Sequence, residues 1–167
     1  LKDGFKEVKN NQVIFKSITI AAAINFVLTS FFIVGLPVIL RMTLQVNDTM
    51  YGIGMGVFSL ASIIGAIFAG QLTKNIKFNN FYRVFTLSGI LLILMNLLLS
   101  MTSIGVGFMV VLVMEIIIGM MLSAISIYLI TIVQRITPKE NLGKVMATII
   151  AVAQCAVPLG QLLMGLI

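Results

Sequence analysis

Five long apolar runs constrain the fold of this chain more than any other feature. Each run is close to or above the roughly 20 residues that an α-helix needs to cross the hydrocarbon core of a bilayer. Hydrophobic residues make up 60% of the 167 residues, whereas soluble domains are roughly 45–50% apolar. The sequence therefore predicts an integral membrane protein. The predicted spans are about 17–41, 51–73, 84–102, 106–133 and 145–167.

Residues 1–16 alternate charged with apolar side chains and precede the first predicted span. Leu1, Phe5, Val8 and Phe15 share one side of a helix, which is typical of a segment that lies along a membrane surface. The chain begins at Leu1 without an initiator methionine. We interpret it as an internal piece of a longer protein, with a cytoplasmic amphipathic linker at 1–16 and a transmembrane helical half-domain at 17–167.

The basic residues indicate an orientation. Of the 11 Lys and Arg residues, only Arg41 falls on one side of the predicted spans. The other ten flank the amino end and two loops on the opposite side, a bias that predicts a cytoplasmic location for them. The amino end is then cytoplasmic in a multi-pass protein of the cell membrane. Because these residues are scattered and form no single patch with aromatic residues, we expect no nucleic-acid partner.

Glu115 is the one acid in the long apolar run that begins at Gly105. A charged side chain at the centre of a membrane helix costs roughly 2.5–3.5 kcal/mol on insertion scales, so such residues usually face a bundle interior or a water-filled cavity. Steps of three and four from Glu115 reach Gly119, Ser123 and Ser126, which predicts a small, polar face, with residues 116–118 pointing elsewhere. Glu115 is either a functional group or a protonated carboxyl satisfied by a neighbouring helix.

Four other polar residues are candidates for lining a cavity. Asn25 and Thr29 stand one turn apart in the first span, and Gln154 and Gln161 lie on one face of the fifth span with Pro158. Each pair either contacts solute or only hydrogen-bonds and packs against neighbouring helices. The second span is dense in small residues, which predicts close helix packing.

Several chemistries are disfavoured by composition. The chain has no His and a single Cys, Cys155, so we expect no intrachain disulfide, no metal site and no cofactor. Proteolytic and metal-dependent enzymes embedded in membranes need His, paired Asp or an activated Ser, and the sequence has no His and no second acid inside an apolar span. We therefore do not interpret the chain as an enzyme.

The segment QRITPKENLGKVMA, residues 134–147, resembles a known loop. It is similar to the loop between the tenth and eleventh helices of major facilitator superfamily exporters, especially the macrolide-efflux-like and multidrug branch. LKDGFK at residues 1–6 is similar to the lead into that family's seventh helix, and PLGQLLMGLI at 158–167 to the end of its eleventh. The residues that match the loop pattern are Arg135, Pro138, Glu140, Gly143, Lys144 and Val145.

The resemblance implies an all-α integral membrane fold with five transmembrane helices, a fragment of the second six-helix bundle of the superfamily. These would be helices seven to eleven, so the N-terminal half and the final helix of the same chain would be missing partners. The implied function is a proton-coupled exporter of amphipathic or cationic drugs such as macrolides. Its other partners would be a small-molecule substrate, the proton and the lipid bilayer, and its third span would be peripheral.

Two other functions stay open. One is export of a siderophore or other metabolite on the same fold, although Glu115 argues against an anion at its depth. The other is a non-transporting membrane scaffold, which would keep the small-residue packing but has no need of Glu115.

The two cytoplasmic loops carry the candidate gate residues. The resemblance implies a latch at the turn that contains Arg135 and Lys144, whereas the residues alone also suit a solvated connector. There, Pro138 is predicted to end a helix, Gly143 to permit a tight turn, and Glu140 to pair with Lys144 or cap the next helix.

The loop after the second span departs from the family's gate motif. Gly70 and Leu72 fit that motif, but Lys74 and Asn75 stand where Asp and Arg are expected. The salt-bridge part of the gate is therefore absent from this loop.

Overall fold

Five helices long and apolar enough to cross a membrane are present in the described part of the chain. The structure, a computed structural model, describes residues 8–9, 11–74 and 81–166. The predicted fold class, an all-helical integral membrane protein with five spans, is confirmed. The helices are α1 (Gln12–Thr43), α2 (Asp48–Ile67), the short α3 (Ala69–Leu72), α4 (Phe81–Met101), α5 (Ile104–Ile136) and α6 (Lys139–Leu166).

Some sequence predictions lie outside the described residues: those on LKDGFK, most of the linker, Asn75 and the rest of the loop to residue 80. Elsewhere the helices extend past the predicted spans, since α1 starts at Gln12 and α6 at Lys139. A helix need not end where the bilayer ends, because its charged first turns can lie in water while its hydrogen bonds continue.

The chain divides into two compact units, one formed by residues 1–37 and 129–167 and the other by residues 38–128. In the first unit, the amino-terminal part of α1 packs against α6. Asn11 caps α1, because its side-chain oxygen accepts hydrogen bonds from the backbone N–H groups of Val13 and Ile14. The core of this unit consists of Val8, Ile14, Ile18, Val133, Val145 and Ile149. Burial of these apolar side chains stabilises the unit.

Helix α1 is not a regular α-helix along its length. Backbone N–H groups of Ser30, Leu36 and Leu44 bond to carbonyl groups five residues earlier, which is the π-helical pattern. Such wide turns are rare, occur mostly singly and are frequent at functional sites. The three π segments are Asn25–Thr29, Phe31–Gly35 and Ile39–Thr43.

In the second unit, a short connection links α1 to α2. Asn47 caps α2 by accepting a hydrogen bond from the backbone N–H of Met50 at 2.9 Å. Arg41 donates to Asp48 at 2.6 Å and lies 4.4 Å from the ring centre of Tyr51. Both charged side chains are exposed, so the ion pair orders the connection more than it stabilises the fold.

Large apolar side chains cover the outside of the described helices. On α4, Ile90, Ile93 and Leu97 are 54%, 72% and 57% exposed, and α4 is the least buried of the five described spans. Contiguous apolar surface of this kind is not tolerated in water but matches lipid. The chain is therefore a multi-pass membrane protein.

The connection from α5 to α6 is shorter than predicted. Helix α5 ends at Ile136 and α6 begins at Lys139, so Thr137 and Pro138 alone form the turn. The predicted tight turn at Gly143 is wrong, because Gly143 lies inside α6. Proline just before a helix loses no backbone bond, since the first N–H groups have no intrahelical partner. Glu140 stands in the first turn of α6, where an acid favours the helix dipole.

Candidate functional site

Glu115 is buried in the middle of α5, with 1% of its surface exposed. No described residue donates a hydrogen bond to either of its carboxyl oxygens. Buried polar groups are normally paired, and leaving one unpaired costs about 1–3 kcal/mol. A buried acid without a partner is therefore the feature of this protein that most requires an explanation beyond packing.

The face of α5 that carries Glu115 is largely apolar. Val111, Ile118 and Leu122 are buried with it, whereas Ser123 is half-buried and Ser126 is exposed. The prediction that Ile118 points away from Glu115 is wrong, because a step of three residues keeps both on one side of the helix. Ile116 and Ile117, which were predicted to point away from Glu115, are exposed. Of the predicted small, polar face, Glu115 and Gly119 are the buried part.

Helix α2 provides the wall opposite the carboxyl group. A Cβ atom on Gly54 would lie 3.9 Å from Oε1 of Glu115 and 2.9 Å from Cδ1 of Leu40. The missing side chain at Gly54 therefore leaves the space that the carboxyl group and the leucine share. Sequence reasoning predicted that the second span packs closely, but it did not select Gly54 as the neighbour of the acid.

Helices α2 and α5 approach each other through small residues. A Cβ atom on Gly119 would lie 3.2 Å from the Cβ of Ala61. One on Gly65 would lie 2.6 Å from the Cα of Met120 and closer still to its carbonyl oxygen. Residues with higher numbers in α2 contact residues with higher numbers in α5, so the two helices run parallel. Close backbone approach through glycine is the usual basis of helix association in lipid.

A second interhelical contact joins α1 to α6 in the first unit. The buried hydroxyl of Ser30 lies 3.0 Å from the carbonyl oxygens of both Val157 and Asn25, so its one hydrogen can be donated to either or shared between them. A Cβ atom on Gly160 would collide with the backbone carbonyl of Phe26. Pro158 inside α6 removes one backbone hydrogen bond at this level. Sequence analysis missed Ser30 and Gly160, although a serine and a glycine in apolar spans are the signal for such a contact.

The cavity residues that were predicted on α1 and α6 are close in sequence to the residues of this contact. The amide of Asn25 donates to the carbonyl oxygen of Ala21 in its own helix at 2.9 Å. Thr29 and Gln161 are half-buried, and Gln154 is exposed.

The predicted gate residues lie at the helix ends. Arg135, Pro138, Glu140, Gly143 and Lys144 are all exposed around the turn from α5 to α6. Gly70 is exposed on α3, separated from α2 by Phe68, whose backbone leaves the helical conformation.

These features define a helical membrane protein with a buried acid beside a close helix contact. The family model of the Major Facilitator Superfamily matches residues 1–167. The chain therefore belongs to the major facilitator superfamily, whose members are membrane transporters. Comparison with curated proteins and with solved structures gave no match.

Proposed function

We propose that this chain is the C-terminal half of a proton-coupled exporter of amphipathic or cationic compounds, of the macrolide-efflux and multidrug type. The observation that carries the proposal is Glu115, buried at 1% exposure with no hydrogen-bond donor among the described residues. A carboxyl group of this kind can bind a proton in one conformation and a cationic solute in another, which is the requirement for exchange.

The neighbours of Glu115 support this role. Glycines on α2 and α5 bring the two backbones together and present no side chain that could pair with the acid. The apolar residues around it suit the hydrocarbon part of an amphipathic compound. In such transporters the substrate site lies near the bilayer midplane between two repeats, so the N-terminal half and a final helix of the same chain would complete it.

The same proposal assigns the location, the orientation and the further functional residues of the protein. The protein resides in the cell membrane with the amino end of this chain in the cytoplasm, on the side that carries ten of the 11 basic residues. The turn between α5 and α6, with Arg135 and Lys144, then acts as a cytoplasmic latch. Asn25, Thr29, Ser123, Ser126, Gln154 and Gln161 are the further candidates for the cavity wall.

The test is Glu115→Gln in the full-length protein, reconstituted in liposomes with an imposed pH gradient. Glutamine keeps the size of the side chain but does not titrate, so gradient-driven accumulation of a cationic dye should fall to the background of empty liposomes. Asn96→Ala is the control, because Asn96 is exposed on α4, and it should transport like the parent. If Glu115→Gln transports the dye with the parent's pH dependence, Glu115 is a packing residue.

Export of a siderophore or another anionic metabolite is the competing function on this fold. An anion would be repelled by an ionised Glu115, so transport of an anionic probe should increase in Glu115→Gln. If the parent protein transports the anionic probe but not cationic dyes, this alternative is correct and the proposal is wrong.

A further inference from the structure

A cavity of about 280 Å³ lies in the second unit, between the end of α3, the start of α4 and the middle of α5. It uses a different side of α5 from Glu115, since Ile117 is two residues along the helix and therefore on the opposite face. Residues that line it include Leu72, Thr73, Val84, Ile117, Met121 and Ala124.

The lining offers almost nothing to a polar ligand. Thr73 is the polar side chain among the described lining residues, and its hydroxyl donates to the carbonyl oxygen of Ala69 at 2.6 Å. Placing an unpaired polar group here would cost free energy, whereas a hydrocarbon chain would lose contact with water at no such cost. The chemistry of the cavity therefore selects an aliphatic ligand.

At both chain segments that lead away from the cavity, a basic residue stands next in sequence to a residue that lines it. Thr73 is followed by Lys74, and Val84 is preceded by Arg83, both exposed. The sequence from 74 to 83 contains a third basic residue, Lys77, and no acidic residue. Basic residues beside a pocket between membrane helices attract anionic lipid headgroups.

We propose that this cavity binds one acyl chain of an anionic phospholipid, whose phosphate lies against Lys74 and Arg83. The apolar lining accounts for the chain and the basic residues account for the headgroup. The site depends neither on Glu115 nor on the direction of transport.

Photo-cross-linking of the full-length protein tests the proposal. The probes are phosphatidylglycerol and phosphatidylcholine that carry the same diazirine-labelled acyl chain, in nanodiscs of matched composition. Phosphatidylglycerol should label residues 117–125 above the level of the exposed face of α4, and phosphatidylcholine should not. Equal labelling of residues 117–125 and of the exposed face of α4, or equal labelling by the two lipids, would show ordinary contact with bulk lipid and overturn the proposal.

Two variants with matched controls separate the two parts of the site. Ala124→Leu fills the cavity and should abolish the excess labelling, whereas Ala151→Leu, at an exposed position on α6, should not. Lys74→Gln should lower the preference for phosphatidylglycerol roughly fivefold, the equivalent of about 1 kcal/mol per basic residue near an anionic surface. Lys139→Gln, at another exposed lysine, should leave that preference unchanged.

The parent protein provides a test that does not require Ala124→Leu to fold. Protection of residues 117–125 from the lipid probe, with cross-links to another segment or to a second copy, would identify a protein occupant and overturn the lipid assignment.

Discussion

Oε1 of Glu115 lies 3.9 Å from the position that a Cβ atom would take on Gly54, so the acid on α5 and the glycine on α2 are direct neighbours. Farther along the same two helices, Gly65 meets the backbone of Met120. The two glycines therefore serve different purposes in one interface. Gly54 leaves room for a side chain, and Gly65 allows two backbones to touch.

We expect Gly65→Ala to destabilise the protein far more than Gly54→Ala. At Gly65 the new methyl group would meet the backbone of Met120, which cannot move unless the helices separate, and overpacking of this kind costs about 1–3 kcal/mol. At Gly54 it would meet the end of the Leu40 side chain, which can turn away. Thermal unfolding of the detergent-solubilised full-length protein measures the difference. Gly52→Ala, where the new methyl group meets no atom within 4 Å, is the control, and equal unfolding temperatures would contradict the interface.

Replacing Glu115 with an apolar residue of similar size should stabilise the protein while transport is lost. Glu115→Met removes two buried oxygens that no described residue satisfies, and that penalty is about 1–3 kcal/mol. Glu115→Gln keeps a buried polar group and should gain less. The unfolding temperatures of the two variants and the parent provide the test. A parent more stable than Glu115→Met would mean that the carboxyl group is paired in the full-length protein.

The contact between α1 and α6 predicts two effects of different size. Ser30→Ala removes the hydroxyl that bonds to Val157 and should lower the free energy of unfolding by about 0.6 kcal/mol, with an upper limit near 1.7 kcal/mol. Gly160→Ala should cost more, because its methyl group would collide with the backbone of Phe26. Ser100→Ala is the matched control, since that exposed hydroxyl bonds to Leu97 of its own helix. A loss as large for Ser100→Ala as for Ser30→Ala would contradict the assigned contact.

The proposed orientation predicts which introduced cysteines are reachable from outside the cell. In a Cys155→Ser background, Thr49→Cys at the start of α2 should react with an impermeant thiol reagent in intact cells. Asn79→Cys, within the basic sequence 74–83, and Gln134→Cys, next to Arg135, should react only after the membrane is opened. The reverse pattern would place the amino end of this chain outside.

The number and position of the membrane spans follow from the sequence alone. A run of about 20 apolar residues has one stable arrangement in a bilayer, a helix that satisfies its own backbone, and this holds whatever its neighbours are. Glu115 could be selected for the same local reason, because an acid is costly anywhere at that depth. The end of α5 before Pro138 is likewise a local effect of proline on the backbone.

Which faces meet was decided by the tertiary structure. Of the many small residues in the second predicted span, Gly54, Ala61 and Gly65 are buried, whereas Gly52, Gly56 and Gly70 are exposed. Composition cannot separate these two groups, because each glycine permits close approach equally well and only the partner helix selects among them. Ser30 bonds to Val157 across 127 positions of sequence, and Gly143 continues a helix where the sequence predicted a turn. Such outcomes depend on packing between residues distant in the chain, which local sequence patterns do not encode.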